Sequence, residues 1–116
     1  MLHGKIWGTT EVLEKTPIVE VHRLNILPNM QCSMHKHLHK RNAFHVSSGK
    51  LYIDVVKNDY ALTDTTTLGP GDYTVVMPNE FHRFRTGPEG AIGIEIYYPE
   101  PLSEDIIRAD VGGKVT

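Results

Sequence analysis

Met34-His35-Lys36-His37-Leu38-His39-Lys40-Arg41-Asn42-Ala43-Phe44-His45-Val46-Ser47-Ser48-Gly49 holds four of the chain's seven histidines. His35, His37 and His39 stand at alternate positions, and a strand turns alternate side chains to one face. The stretch from Met34 to Lys40 therefore reads as a strand with a histidine face. Next come two strand-like runs, Asn42 to Ser47 and Leu51 to Val56. The Ser47-Ser48-Gly49-Lys50 between them has the composition of a short hairpin turn, which predicts an antiparallel pair.

The same grammar extends in both directions. Ile18 to Leu27, between Thr16-Pro17 and Pro28-Asn29, is rich in β-branched residues and carries Glu20 and His22 at alternate positions, as a half-buried strand would. Lys57-Asn58-Asp59-Tyr60 reads as a polar turn. Leu68-Gly69-Pro70-Gly71-Asp72 reads as a tight one, because proline fixes φ and glycine supplies positive φ. Tyr73 to Met77, His82 to Arg85 and Ala91 to Tyr98 complete at least seven short strands, separated by Pro78-Asn79-Glu80 and Gly87-Pro88-Glu89-Gly90. One segment has a helical reading, Ser103 to Ala109, where Ser103 can cap a first turn holding Glu104 and Asp105. The same residues fit a strand or an extended tail. An all-β chain of this size must protect its sheet edges, so the expected fold is a small jelly-roll β-barrel, with a short C-terminal helix or extended tail.

Composition bounds the rest. The 116 residues fit a single domain, 1–116. Twelve Lys and Arg against fourteen Asp and Glu give a net charge of −2, which offers no basic field to a nucleic acid. No apolar run approaches the roughly 20 residues that span a bilayer, and Met1-Leu2-His3-Gly4-Lys5 lacks the apolar core of a signal peptide, so a soluble, cytoplasmic protein is expected, with no membrane partner. Cys32 is the single cysteine. It excludes an internal disulfide and reads as a small buried residue instead of a nucleophile.

The histidine spacing points to chemistry. Two imidazoles at i and i+2, joined by a third from a neighbouring strand, can offer three nitrogens to one face of a divalent cation at about 2.0–2.2 Å. His39 shares the same predicted face and is an alternative ligand. The pattern His35-x-His37, four residues, Asn42, six residues, Gly49 resembles the first sequence motif of the cupin superfamily. Gly71, Pro78 and His82 resemble the second, with one extra residue before Pro78, one fewer before His82, and Thr86 where asparagine is usual. Within the superfamily the chain is similar to the cupin domain of type II mannose-6-phosphate isomerases. The similarity lies in Ile6-Trp7-Gly8, Met34 to Gly49, Pro78 to Phe84 and Ser103-Glu104-Asp105-Ile106-Ile107-Arg108.

That resemblance implies His35, His37 and His82 as ligands of a divalent transition metal (Zn, Fe, Ni, Co, Cu or Mn), with Asn42 in the fourth position, where the family has glutamate. An amide removes one negative charge from the ligand set; its oxygen can still ligate, or can hold a water. Glu95 shares a strand face with Tyr97, and if that face lines the cavity it is the candidate general base. The expected partner is a small polar molecule, most specifically a sugar or sugar phosphate for aldose–ketose isomerisation. Two other classes stand beside it: a three-His iron or nickel oxygenase, and a non-catalytic sugar-binding or regulatory module, which Asn42 favours. The resemblance also implies a homodimer, joined through the segment around Trp7 or through Glu104 to Arg108. Arg83 and Arg85 alternate with His82 and Phe84 and should point away from the metal.

Overall fold

Valine, isoleucine, threonine and the aromatic residues suit a pleated, half-buried backbone, and where they concentrate the chain is extended. The computed structural model describes residues 2–57, 62–99, 109 and 111–115. Seven strands form: β1 (Leu2–Lys5), β2 (Gly8–Lys15), β3 (Glu20–Ile26), β4 (Lys40–Lys57), β5 (Leu62–Leu68), β6 (Tyr73–Val76) and β7 (His82–Pro99), with no helix among the described residues. All neighbours are antiparallel, in the order β1-β2-β3-β7-β4-β5, with β6 also pairing β4.

The backbone of the barrel is the long pair β4 and β7, matched from Lys40 opposite Pro99 to Val55 opposite His82. Register shifts between Val46 and Ser48 and between Gly49 and Leu51 bend the pair. Each long strand thereby changes neighbours along its length within the one seven-stranded sheet. The first half of β4 lies between β6 and the last half of β7, and the second half lies between β5 and the first half of β7. Between them sits one apolar core, with Leu24, Ile26, Phe44, Val46, Leu51, Ile53, Val55, Leu68, Val76, Phe84 and Ala91 buried and Trp7, Met30 and Cys32 packed against it. Burying each of the larger side chains contributes roughly 1.5–3 kcal/mol. This is the expected all-β jelly roll.

Three expectations are corrected. The hairpin at Ser47-Ser48-Gly49-Lys50 does not form: Asn42 to Ser47 and Leu51 to Val56 belong to the single strand β4. Gly49, with φ +79°, supplies a bulge there, and a side chain on it would collide with the Gly90 carbonyl. Likewise His82 to Arg85 and Ala91 to Tyr98 are one strand. Pro88 is tolerated inside β7 because Gly87 to Gly90 has no paired register with β4.

Third, Met34 to His39 is not a strand, and only Lys40 of the expected run is extended, as the start of β4. His35 makes an isolated bridge with His82, exchanging backbone bonds of 3.0 and 2.7 Å, and the His37 carbonyl accepts from the Asn79 N–H at 2.6 Å. Asn79, at φ +67°, turns the chain there, so the segment pairs with a turn on one side and with the start of β7 on the other. Strands β1, β2 and β5 lie where no strand was expected. The helical reading of Ser103 to Ala109 falls outside the described residues except for Ala109, which is exposed.

Candidate metal centre

The three histidines reach one point by different routes. His82 opens β7 facing inward, 1% exposed. Its Nδ1 lies 3.0 Å from the Glu80 carbonyl oxygen. A carbonyl can only accept, so Nδ1–H donates and the lone pair is left on Nε2. His35 repeats the device, with Nδ1–H donating to the Ser33 carbonyl at 2.8 Å. In both, a backbone oxygen fixes the ring and its tautomer, as the outer partners of metal-bound imidazoles do. His37 enters from the irregular segment, with its Nε2 buried and unpartnered. One ligand nitrogen from each histidine lies within 4.8 Å of the other two, and the ring centroids are 4.6 to 5.5 Å apart.

Electrostatics favour the neutral form of two of the imidazoles, His37 and His82. Burial, reinforced by Lys40, His35 and His82, pushes the His37 pKa down to about 4. Burial also lowers that of His82, against the opposing hydrogen bond to Glu80. Among the described residues the buried side-chain polar atoms without a hydrogen-bond partner are His37 Nε2 and Asn42 Oδ1. An unmet buried acceptor costs on the order of 1–3 kcal/mol. Both orphans belong to the histidine group and its neighbour: the amide oxygen carries lone pairs, and the imidazole nitrogen offers one in one of its two neutral tautomers. Three imidazole nitrogens are a donor set that suits a first-row transition metal, so the histidines fit such an ion, while Asn42 turns its amide nitrogen toward His82.

Asn42 is fully buried on β4, next to Tyr97 of β7. Its Nδ2 donates to Glu95 Oε2 at 3.2 Å and lies 3.3 Å from His82 Nε2. Glu95, 7% exposed, therefore stands behind Asn42 and outside the histidine group. Burial raises its pKa, opposed by hydrogen bonds from Asn42 and Tyr97. Burial, and then the Glu95 carboxylate, raise that of the Tyr97 hydroxyl in turn. Glu95, Tyr97, His35, His22, Cys32 and Trp7 help line a cavity of about 240 Å³. Cys32 remains a thiol there, its pKa pushed up to about 11 by burial, while its sulfur accepts the Phe84 N–H at 3.2 Å.

The structure thus brings His35, His37, His82 and Asn42 together, with Glu95 one side chain away. It leaves His39 exposed, outside the group, lining a separate cavity of about 190 Å³ with Lys40 and Tyr98. His45 is exposed and stacks on Tyr73. The histidine spacing gives His22 no role, yet it lines the larger cavity opposite Glu95, bonded to Glu20 at 3.1 Å and Thr10 at 3.3 Å. The signal was its phase, since His22 shares a strand face with the buried Leu24 and Ile26.

No protein-family model and no curated protein sequence matches the chain. Solved structures do, at low sequence identity. KdgF from Halomonas sp. superimposes with a TM-score of 0.70 at 14% identity, over 87% of this chain and 89% of that one. The cupin domain of Schizosaccharomyces pombe Cnp3 gives 0.69 at 13% identity, over 79% and 64%. Oxalate decarboxylase from Bacillus subtilis, an enzyme with Mn(II) centres, gives 0.66 at 14% identity, over 82% and 26%. The fold is that of the cupins, the double-stranded β-helix.

Proposed function

We propose that this chain holds one divalent transition-metal ion on His35, His37 and His82 and acts on a small polar molecule, a sugar or sugar phosphate, as an aldose–ketose isomerase. The observation that supports this most is the convergence of three imidazoles, one with an orphaned nitrogen, beside a cavity holding a buried carboxyl group. When bound, the ion supplies Lewis acidity, polarising a carbonyl and its neighbouring hydroxyl. The remaining work falls to side chains of the chain itself. Glu95 carries a proton between adjacent carbons, its carboxylate held in place by the Asn42 amide and the Tyr97 hydroxyl. Burial of Glu95 raises its affinity for that proton. Trp7, packed edge-on to Phe84 at 4.9 Å, keeps one wall of the cavity apolar.

A non-catalytic binding module is the second reading, and Asn42 favours it. Its amide nitrogen lies 3.3 Å from His82 Nε2, the lone pair an ion would need, and it leaves the ligand set without a carboxylate. Metal analysis of protein purified without added metal, beside a His35→Ala, His37→Ala variant, tests the site. Equal metal content in the two overturns it. Exchange of solvent deuterium into sugar phosphates then tests turnover. Exchange supports the isomerase, oxygen uptake with a diol or thiol would point to the oxygenase class, and saturable binding with neither leaves the binding module.

A further inference from the structure

On the outer face of the barrel, turned away from the histidines, Asp54 of β4 lies opposite Arg83 of β7, and Tyr52 lies opposite Arg85. An aspartate on an outward face is ordinarily wet, yet Asp54 is 2% exposed. Two guanidinium groups cover it. Arg83 and Arg85 each donate Nε–H to the same oxygen, Oδ2, at 3.0 and 2.9 Å, while Thr65 of β5 donates its hydroxyl to Oδ1 at 2.7 Å. Arg85 is further fixed over the Tyr52 ring, 4.7 Å from its centroid.

What this leaves over is specific. Both arginines spend Nε on the anchor, and no described residue accepts a hydrogen bond from their Nη atoms. Their side chains stay 34% and 37% exposed, so the outer edges of both forks reach solvent. Two positive charges against one negative leave an excess of one, concentrated on planar donors whose rotamers the anchor already fixes. Gln31, bridged to Arg85, and Thr67, opposite Tyr52, flank the pair with further polar groups. Glu89 comes up beside Gly87 near the Tyr52 hydroxyl and is a second acidic group on the Arg85 side of the site, with no hydrogen bond to either arginine. One arginine would suffice to neutralise Asp54. The second brings like-charge repulsion that an anion would relieve.

We propose that Arg83 and Arg85, anchored by Asp54, form an oxyanion-binding site on the outer face of the barrel, separate from the histidine group, for the phosphate, sulfate or carboxylate group of a small molecule. Guanidinium forks match such groups in shape as well as charge, and donors already held in place lose little freedom on binding. The site does not depend on metal binding or on any activity in the inner cavity.

The test is a titration of the 15N-labelled protein with inorganic phosphate, and separately with sulfate, at constant ionic strength made up with chloride. The Nε–Hε resonances of Arg83 and Arg85 are expected to shift saturably. Arg83→Lys, Arg85→Lys keeps the charge over Asp54 but removes the forks, and is expected to weaken binding about tenfold or more with the fold retained. His35→Ala, His37→Ala is expected to bind phosphate as the parent does. Linear shifts, equal shifts with chloride alone, undiminished binding by the double lysine variant, or loss of binding in the histidine variant would each overturn the proposal. The last of these would place the anion in the inner cavity.

Discussion

At the scale of single residues, the candidate site rests on lone pairs left without partners. His37 Nε2 and Asn42 Oδ1 are buried and unbonded, an arrangement that an ion would relieve. Asn42→Glu puts a carboxylate beside three imidazoles, and tighter metal binding, read by competition with a chelator, is the expected outcome; unchanged affinity would show that residue 42 does not face the ion. Glu95→Gln keeps an acceptor for Asn42 but cannot take a proton, so proton exchange into substrate should fall by about two orders of magnitude or more, with metal content unchanged. The pH behaviour follows from His37. Its folded pKa, about 4, lies below the ordinary 6.5, so between those values the unfolded chain binds a proton that the folded chain does not. Stability of the metal-free protein therefore falls as pH drops from about 6.5 to 4. Urea midpoints across that window check it, and His37→Gln should flatten the slope. The i, i+2 histidines and the later His82 were legible as residue types at a motif spacing. The role of Asn42 as a link between His82 and Glu95 was not, because it depends on a cross-strand register that spans more than fifty residues of chain.

At the scale of elements, the sheet is organised by two bent strands, and the bend is where local reading failed. Ser47-Ser48-Gly49-Lys50 and Gly87-Pro88-Glu89-Gly90 have the composition of turns, yet both are irregularities inside continuous strands facing each other. A positive-φ glycine serves a hairpin or a bulge equally well, and what decides is whether the strand beyond it finds its partner by folding back or by carrying on. Here β7 supplies a partner on both sides of the bend, so the strand carries on. Gly49→Ala should destabilise the protein by about 2–4 kcal/mol in urea unfolding, because it adds positive-φ strain to a collision with the Gly90 carbonyl. Strand β5, Leu-Thr-Asp-Thr-Thr-Thr-Leu, shows why edge strands are hard to see. It is exposed along nearly its whole length, so burial imposes no alternation of apolar and polar residues, and only the β-branched threonines mark it.

At the scale of the whole molecule, β1 and β5 are the ends of the strand order, and β1 is exposed throughout, with Leu2 and, beyond it, Ile6 at 91%. An open, partly apolar edge favours pairing with a second chain, so sedimentation should find a dimer, and Leu2→Asp, Ile6→Asp should shift it toward monomer; an unaltered monomer in the parent would rule this edge out. The sequence by itself determined the all-β class, the separation of the histidine trio from the arginines, and the shared strand face of Glu95 and Tyr97, because alternation and spacing are properties of a single extended chain; that this face turns inward was decided by the fold. Only the tertiary structure decided which turn-like segments were bulges, that the histidine segment is irregular, that His39 stays outside, and that Asp54 lies under two guanidinium groups. Those outcomes depend on contacts between segments far apart in the chain, and the free energy of such contacts is set by the partner each segment meets and not by its own composition.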